Sequence, residues 1–148
     1  MNIKRAQNKE FVDVFVNTKL KLASLWTSFM FLYIYVDYFH LYMPSTLTDI
    51  LKGKVFVFDI TQAFLLIAMI MVAIPVLMIF LSVALSAKAN RLVNIIVAIL
   101  LIPYMLFNLV GEAWVHMVFA AIVEVLLLCF IIYYAWNWPL TKKEETFS

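Results

Sequence analysis

ITQAFLLIAMIMVAIPVLMIFLSVAL, residues 60–85, contains no charged side chain, and its polar groups are confined to Thr61, Gln62 and Ser82. About 20 predominantly apolar helical residues cross the hydrocarbon core of a bilayer, so this stretch alone is long enough to span one. It has neither the polar–apolar alternation nor the closely spaced turns of a barrel strand. A helix, which satisfies its backbone hydrogen bonds internally, is therefore the structure it can adopt in lipid. Three more stretches pass the same test, at residues 22–43, 92–110 and 113–138. Together they leave almost nothing over for a soluble domain. The composition agrees, with 66% hydrophobic residues, 14% charged residues and two glycines in 148, and a mean hydropathy of +1.01. The chain reads as a single all-α membrane domain over 1–148, a bundle of four antiparallel transmembrane helices.

Threading follows from the basic residues. Lys4, Arg5, Lys9, Lys19 and Lys21 precede the first span, Lys88 and Arg91 separate the second from the third, and Lys142 and Lys143 follow the fourth. The opposite side holds only Lys52 and Lys54. The positive-inside rule then places both termini in the cytoplasm. The net charge of +2 is accounted for by this distribution and calls for no nucleic acid. The first apolar run follows charged residues, as a signal peptide would, but it is too long and lacks a small-residue cleavage site, so it is read as a retained span. Aromatic residues repeat the pattern, with Trp26, Trp136 and Trp138 at the cytoplasmic ends and Tyr38, Tyr42 and Trp114 at the outer ends.

The connections carry expectations of their own. SAKAN (86–90) and VGEA (110–113) read as tight turns, with Gly111 as a helix C-cap. STLTDILK (45–52) reads as a short helix with Leu47, Ile50 and Leu51 toward the lipid, and NKEFVDVFVNTK (8–19) as an N-terminal interfacial helix exposing Phe11, Val14 and Phe15 on one side. Asp59 and Gln62 match a capping box at the start of the second span. Pro75 and Pro103 are expected to kink their spans near Met71 and Ile99. Cys129 is the sole cysteine, so no intrachain disulfide is possible.

The residue that demands a reason is Glu124, amid FAAIVEVLLL at 119–128. It falls near the middle of the fourth span, where an ionised acid is unfavourable by roughly 2.5–3.5 kcal/mol on insertion scales. Ala113, Ala120 and Ala121 share about the same helix face, and small residues there let a neighbouring helix approach. Glu124 should therefore point into the bundle. Other polar groups gather in the outer half. Tyr33, Asp37 and His40 form one stripe at i, i+4, i+7, Tyr104, Asn108 and Glu112 form another at i, i+4, i+8, and His116 lies two turns above Glu124. The cytoplasmic half offers Ser82, Ser86, Asn94 and Asn137. The asymmetry suggests an outward-opening pocket lined by the seven outer-half residues and floored by Glu124. Each has a plainer reading. The tyrosines suit an interfacial belt, Glu112 suits a solvated turn, the histidines suit solvated interface positions, and the carboxyls suit pairing with a tyrosine, histidine or asparagine.

Three function classes fit such a pocket. One is binding or transport of a small lipophilic ligand or a cation, coupled to a carboxyl. A second is a membrane enzyme acting on a lipophilic substrate with two carboxyls as acid and base. The third is a structural or assembly subunit, including a homo-oligomer, whose buried acid pairs with a partner helix. No H-E-x-x-H sequence, phosphate-binding loop or nucleophile triad is present, so no metal site is assigned, no cofactor is named and enzyme status leans negative.

KLASLWTSFMFLYIYVDYFHLY (21–42), followed by three further spans with a histidine and a glutamate in the last, resembles a family of small four-span bacterial membrane proteins of unknown function. The resemblance implies a multi-pass protein of the bacterial inner membrane and no activity. A looser likeness, of architecture alone, is to the four-helix membrane proteins of the sterol-isomerase and sigma-2-receptor type, whose lipophilic pocket holds paired carboxyls.

Overall fold

The computed structural model describes residues 14–110 and 114–139. Its elements run α1 (Thr18–His40), α2 (Thr46–Leu51), β1 (Lys54–Val55), β2 (Phe58–Asp59), α3 (Gln62–Ala84), α4 (Ala87–Phe107) and α5 (Val115–Trp136). The helices α1, α3, α4 and α5 are each long and apolar enough to cross a membrane. Hydrophobic side chains cover their outer surfaces, among them Leu66, Ile67, Phe80, Leu100, Phe119 and Ile122. In water this would be a liability, whereas in a bilayer it is the solvated surface.

The helices form a bundle in which α1 packs against α3 and α5, and α5 against α4, while the consecutive pair α3 and α4 touch far less. Cross-helix contacts set the register. The Lys19 ammonium donates to the Val83 carbonyl at the end of α3, where the helix dipole favours a cation. Lys21 lies 5.1 Å from the Tyr134 ring, and Arg91 lies 5.4 Å from the Trp136 ring, so the starts of α1 and α4 sit beside the ends of α3 and α5. We call this the terminus end, and the opposite end, which carries α2 and the hairpin, the cap end.

Helix limits differ from the sequence expectation for local reasons. Asn17 has extended backbone angles and its side chain accepts from the Lys19 N–H, so α1 starts at Thr18, not at residue 22. The same cap rules out an interfacial helix running into the span. Residues 14–17 are not helical, Val14 and Phe15 are exposed, and the rest of that expected helix, Phe11 included, lies outside the described residues. Thr61, not Asp59, caps α3, accepting from the Phe64 N–H at 3.1 Å. Asp59 is instead paired with Lys54 in a two-stranded hairpin, alongside Val55 with Phe58. That hairpin was not anticipated. The α2 helix forms where STLTDILK placed it, with Leu47 and Leu51 exposed and Ile50 half-buried. The α4 helix ends at Phe107 with Asn108 as its C-cap, while Gly111 lies outside the described residues.

The terminus half of the core is held by a buried polar network that spans three helices. The Trp26 indole N–H donates to Asn94 Oδ1 at 2.7 Å, and the Ser82 hydroxyl donates to the same oxygen at 3.2 Å. The Asn94 amide nitrogen donates to both the carbonyl and the side-chain oxygen of Asn90. Asn90 in turn donates to the Ser82 carbonyl. All the hydrogen-bonding capacity of the Asn94 amide is used. Trp26 is thus fully buried and is not an interfacial belt residue, unlike exposed Trp114 and Trp136. Leu22, Phe29, Leu128 and Ile131 complete this part of the core.

Two stability outcomes follow. Replacing Asn94 with Leu strands the buried Trp26 donor and should cost about 1–3 kcal/mol. Pairing that change with Trp26→Phe in a double-mutant cycle, read by denaturant unfolding in detergent, should recover part of the loss, and strict additivity would count against the bond. Thr61→Ala should cost about 1 kcal/mol, whereas Asp59→Ala should leave the start of α3 intact by hydrogen exchange.

Candidate functional site

The α5 helix buries one face, formed by Ala120, Ala121, Glu124, Leu128, Ile131 and Ala135. Their spacing of three to four residues is that of a single helical stripe. Glu124 is near the middle of the helix and 4% exposed, and the two alanines one turn toward the cap end leave room for the facing helix. Its Oε1 is buried and has no hydrogen-bond partner among the described residues.

Three further polar side chains are near it. On α1 the buried stripe Leu22, Trp26, Phe29 and Tyr33 continues one turn on to Asp37. On α4 the stripe Asn90, Asn94, Ala98, Leu101 and Met105 flanks Tyr104. The hydroxyls of Tyr33 and Tyr104 lie 3.3 Å apart and form a hydrogen bond across the bundle. Asp37 lies one turn beyond Tyr33 on α1, and α1 packs against α5, which carries Glu124. Tyr33, Tyr104, Asp37 and Glu124 thus form one cluster drawn from three helices.

Coverage over this cluster is uneven. Burial on α1 stops at Tyr33, and no residue of α3 before Pro75 is buried. Asp37, although on the core-facing stripe, is exposed. Toward the terminus end the same interior is closed by the Trp26–Asn94 network and the apolar layer around it. The interior is therefore sealed at one end and loosely covered at the other.

The remaining sequence candidates are placed elsewhere. His40, at the end of α1, is within electrostatic reach of Asp37 but lines a separate pocket beneath α2 and the hairpin. His116 lies on the apolar groove of Trp114, Val115 and Phe119, and its buried Nε2 has no partner among the described residues. Asn108 is exposed, and Glu112 and Ala113 lie outside the described residues. Neither of these two pockets includes Glu124. No group of three or more metal-ligating side chains occurs among the described residues.

Sequence reasoning passed over Asn90, which it read as part of a turn, and set aside Asn94 and Ser82 as minor. The signal was available. Asn90, Asn94, Ala98, Leu101 and Met105 recur at helical spacing along one buried face, so both asparagines had to point inward.

No curated protein and no solved structure matches the chain. The family of unknown function DUF6326 matches residues 11–146, nearly the whole chain and all four membrane-crossing helices, and the protein belongs to that family.

Proposed function

We propose that this protein binds a small cation or cationic lipophilic ligand at Glu124, taken up from the cap end, as one step of a transport cycle. The observation that carries the reading is the unpartnered carboxyl oxygen of a glutamate 4% exposed in the middle of a membrane-crossing helix. A group in that position is costly unless it is neutral or faces a positive charge. Ser82, Asn90 and Asn94, the other buried polar side chains of the core among the described residues, are hydrogen-bonded, and the second unpartnered buried atom, His116 Nε2, lies on the separate groove of Trp114, Val115 and Phe119.

Asp37 and the tyrosine pair supply the rest of a cation site. One cation, or one proton, held between the two carboxyls would serve both. The hydroxyls of Tyr33 and Tyr104 offer lone pairs to such a cation and hydrogen bonds to the carboxyls. Exposed Asp37 would be met first and buried Glu124 second, which gives the site a direction. The distribution of lysines and arginines supports a cap end on the outer side, and uptake would then be from the outer face. Release on the other side would require the Trp26–Asn94 network to part.

Two measurements on detergent-purified protein test the reading. Ionising an unpartnered buried acid is destabilising, so the parent should lose thermal stability relative to Glu124→Gln as pH rises, and superimposable pH profiles would remove the protonation role. Tetraphenylphosphonium and sodium serve as probes of the cation site. At least one should raise the melting midpoint of the parent, with apparent affinity weakened about tenfold or more in Glu124→Gln, equivalent to about 1.4 kcal/mol. Equal responses in the two proteins would refute the site.

A further inference from the structure

The connection between α1 and α3 encloses a pocket of about 240 Å³ at the cap end, to which His40, Ser45, Thr46, Asp49, Lys54 and Phe56 contribute. We propose that it is a binding site for a phosphate-bearing head group, separate from the Glu124 site.

The chemistry of the lining is that of a polar anion with a hydroxyl-rich surround. Lys54 supplies an ammonium, Ser45 and Thr46 supply hydroxyl donors, and the imidazole of His40 carries an N–H donor whether neutral or charged. A tetrahedral phosphate accepts from several such donors at once. Asp49 is the one acid in the lining, and its carboxylate lies 3.9 Å from the Lys52 ammonium. That places a partial counter-charge on it and leaves it able to accept from the amine of a zwitterionic head group.

Backbone strain converges on the same place. Among the described residues, the non-glycine positions with positive φ are Ser45 at 72° and Phe56 at 54°, and both line the pocket. Phe56 is the first central residue of the two-residue turn between Val55 and Phe58, a position where positive φ suits glycine. An aromatic residue held there is strained, and strain of this kind persists where the surrounding structure over-determines it, often at ligand sites. The hairpin that carries Phe56 is tied at its base by the Ile60 N–H to the Gly53 carbonyl at 2.8 Å.

Depth and charge point to a ligand of the bilayer surface. The pocket starts at the last residue of a membrane-crossing helix. The same end of the bundle carries exposed Tyr38 and Tyr42, hydrogen-bonded to each other at 2.7 Å, and exposed Phe58, stacked on Phe64 at 5.9 Å. Such aromatic residues mark the head-group level, and Leu51, 88% exposed on α2, would dip toward the acyl chains. Lys52 and Lys54 are also the basic residues that topology least requires, since the other described ones, Lys19, Lys21, Lys88 and Arg91, lie toward the opposite end of the spans. A phosphate partner gives them a reason to be there.

The test uses delipidated protein in detergent, with the melting midpoint read against dioleoylphosphatidylglycerol, dioleoylphosphatidylethanolamine, dioleoylglycerol and inorganic phosphate. Either phospholipid should raise the midpoint, dioleoylglycerol should not, and Lys54→Gln should weaken the apparent affinity about tenfold while Lys54→Arg retains most of it. A response to inorganic phosphate that Lys54→Gln also weakens would support the site with the free ion as a second source. Stabilisation by dioleoylglycerol equal to that by the phospholipids, or a phospholipid response unchanged in Lys54→Gln, would overturn the proposal.

Discussion

A polar atom within hydrocarbon must find its partner inside the protein, because no water is available to take its place. The backbone meets this demand through four long helices. Side chains meet it case by case, and the differences between cases organise the molecule. Asn94 meets it completely, serving Trp26 and Ser82 through one atom and Asn90 through the other. Glu124 does not, and one of its oxygens has no partner among the described residues.

The two situations occupy different halves of the same interior. Toward the terminus end the asparagine network binds α1, α3 and α4 around a layer of Leu22, Phe29, Leu128 and Ile131. Apolar packing alone drives helices together weakly in lipid, since acyl chains are as apolar as leucine. Interhelical hydrogen bonds and close fit must then supply much of the specificity. The contact between α3 and α4 is slight over most of their length, and the Ser82–Asn94 and Asn90–Ser82 bonds join the two helices near their turn. Toward the cap end no comparable network occurs among the described residues. The α3 helix buries nothing before Pro75, and Asp37 is open. The unpartnered acid lies at the boundary between the closely packed half of the interior and the more open one.

The cap is a second structure with different rules. Its backbone lies outside the helices, so turns, a two-residue hairpin and a short helix satisfy it, at the cost of left-handed conformations at Ser45 and Phe56. Aromatic side chains around it suit the level where hydrocarbon gives way to head groups. His40 belongs to this cap through its pocket and to the bundle through its proximity to Asp37.

Much of the architecture was legible in the residues themselves. Four apolar runs long enough to span a bilayer allow only helices, because hydrocarbon forbids unpaired backbone. The inward direction of Glu124 was legible too, since Ala120 and Ala121 lie on its side of the helix and an acid is costly against lipid. The ends of the elements were less so. Asn17 and Thr61 cap their helices through side-chain bonds that compete with equally plausible neighbours, and the KVFVFD hairpin carries no glycine at its turn to announce it. Tertiary structure alone decided which polar groups meet. Trp26 could have stood at the interface, but the approach of α4 put Asn94 within 2.7 Å and buried it. His40 and Asp37 share a stripe on one helix, yet they serve different surroundings because the chain after α1 folds back over one and leaves the other exposed. Periodicity along a helix sets the direction of a side chain, but what waits in that direction depends on how the other helices pack, and that is a property of the whole bundle.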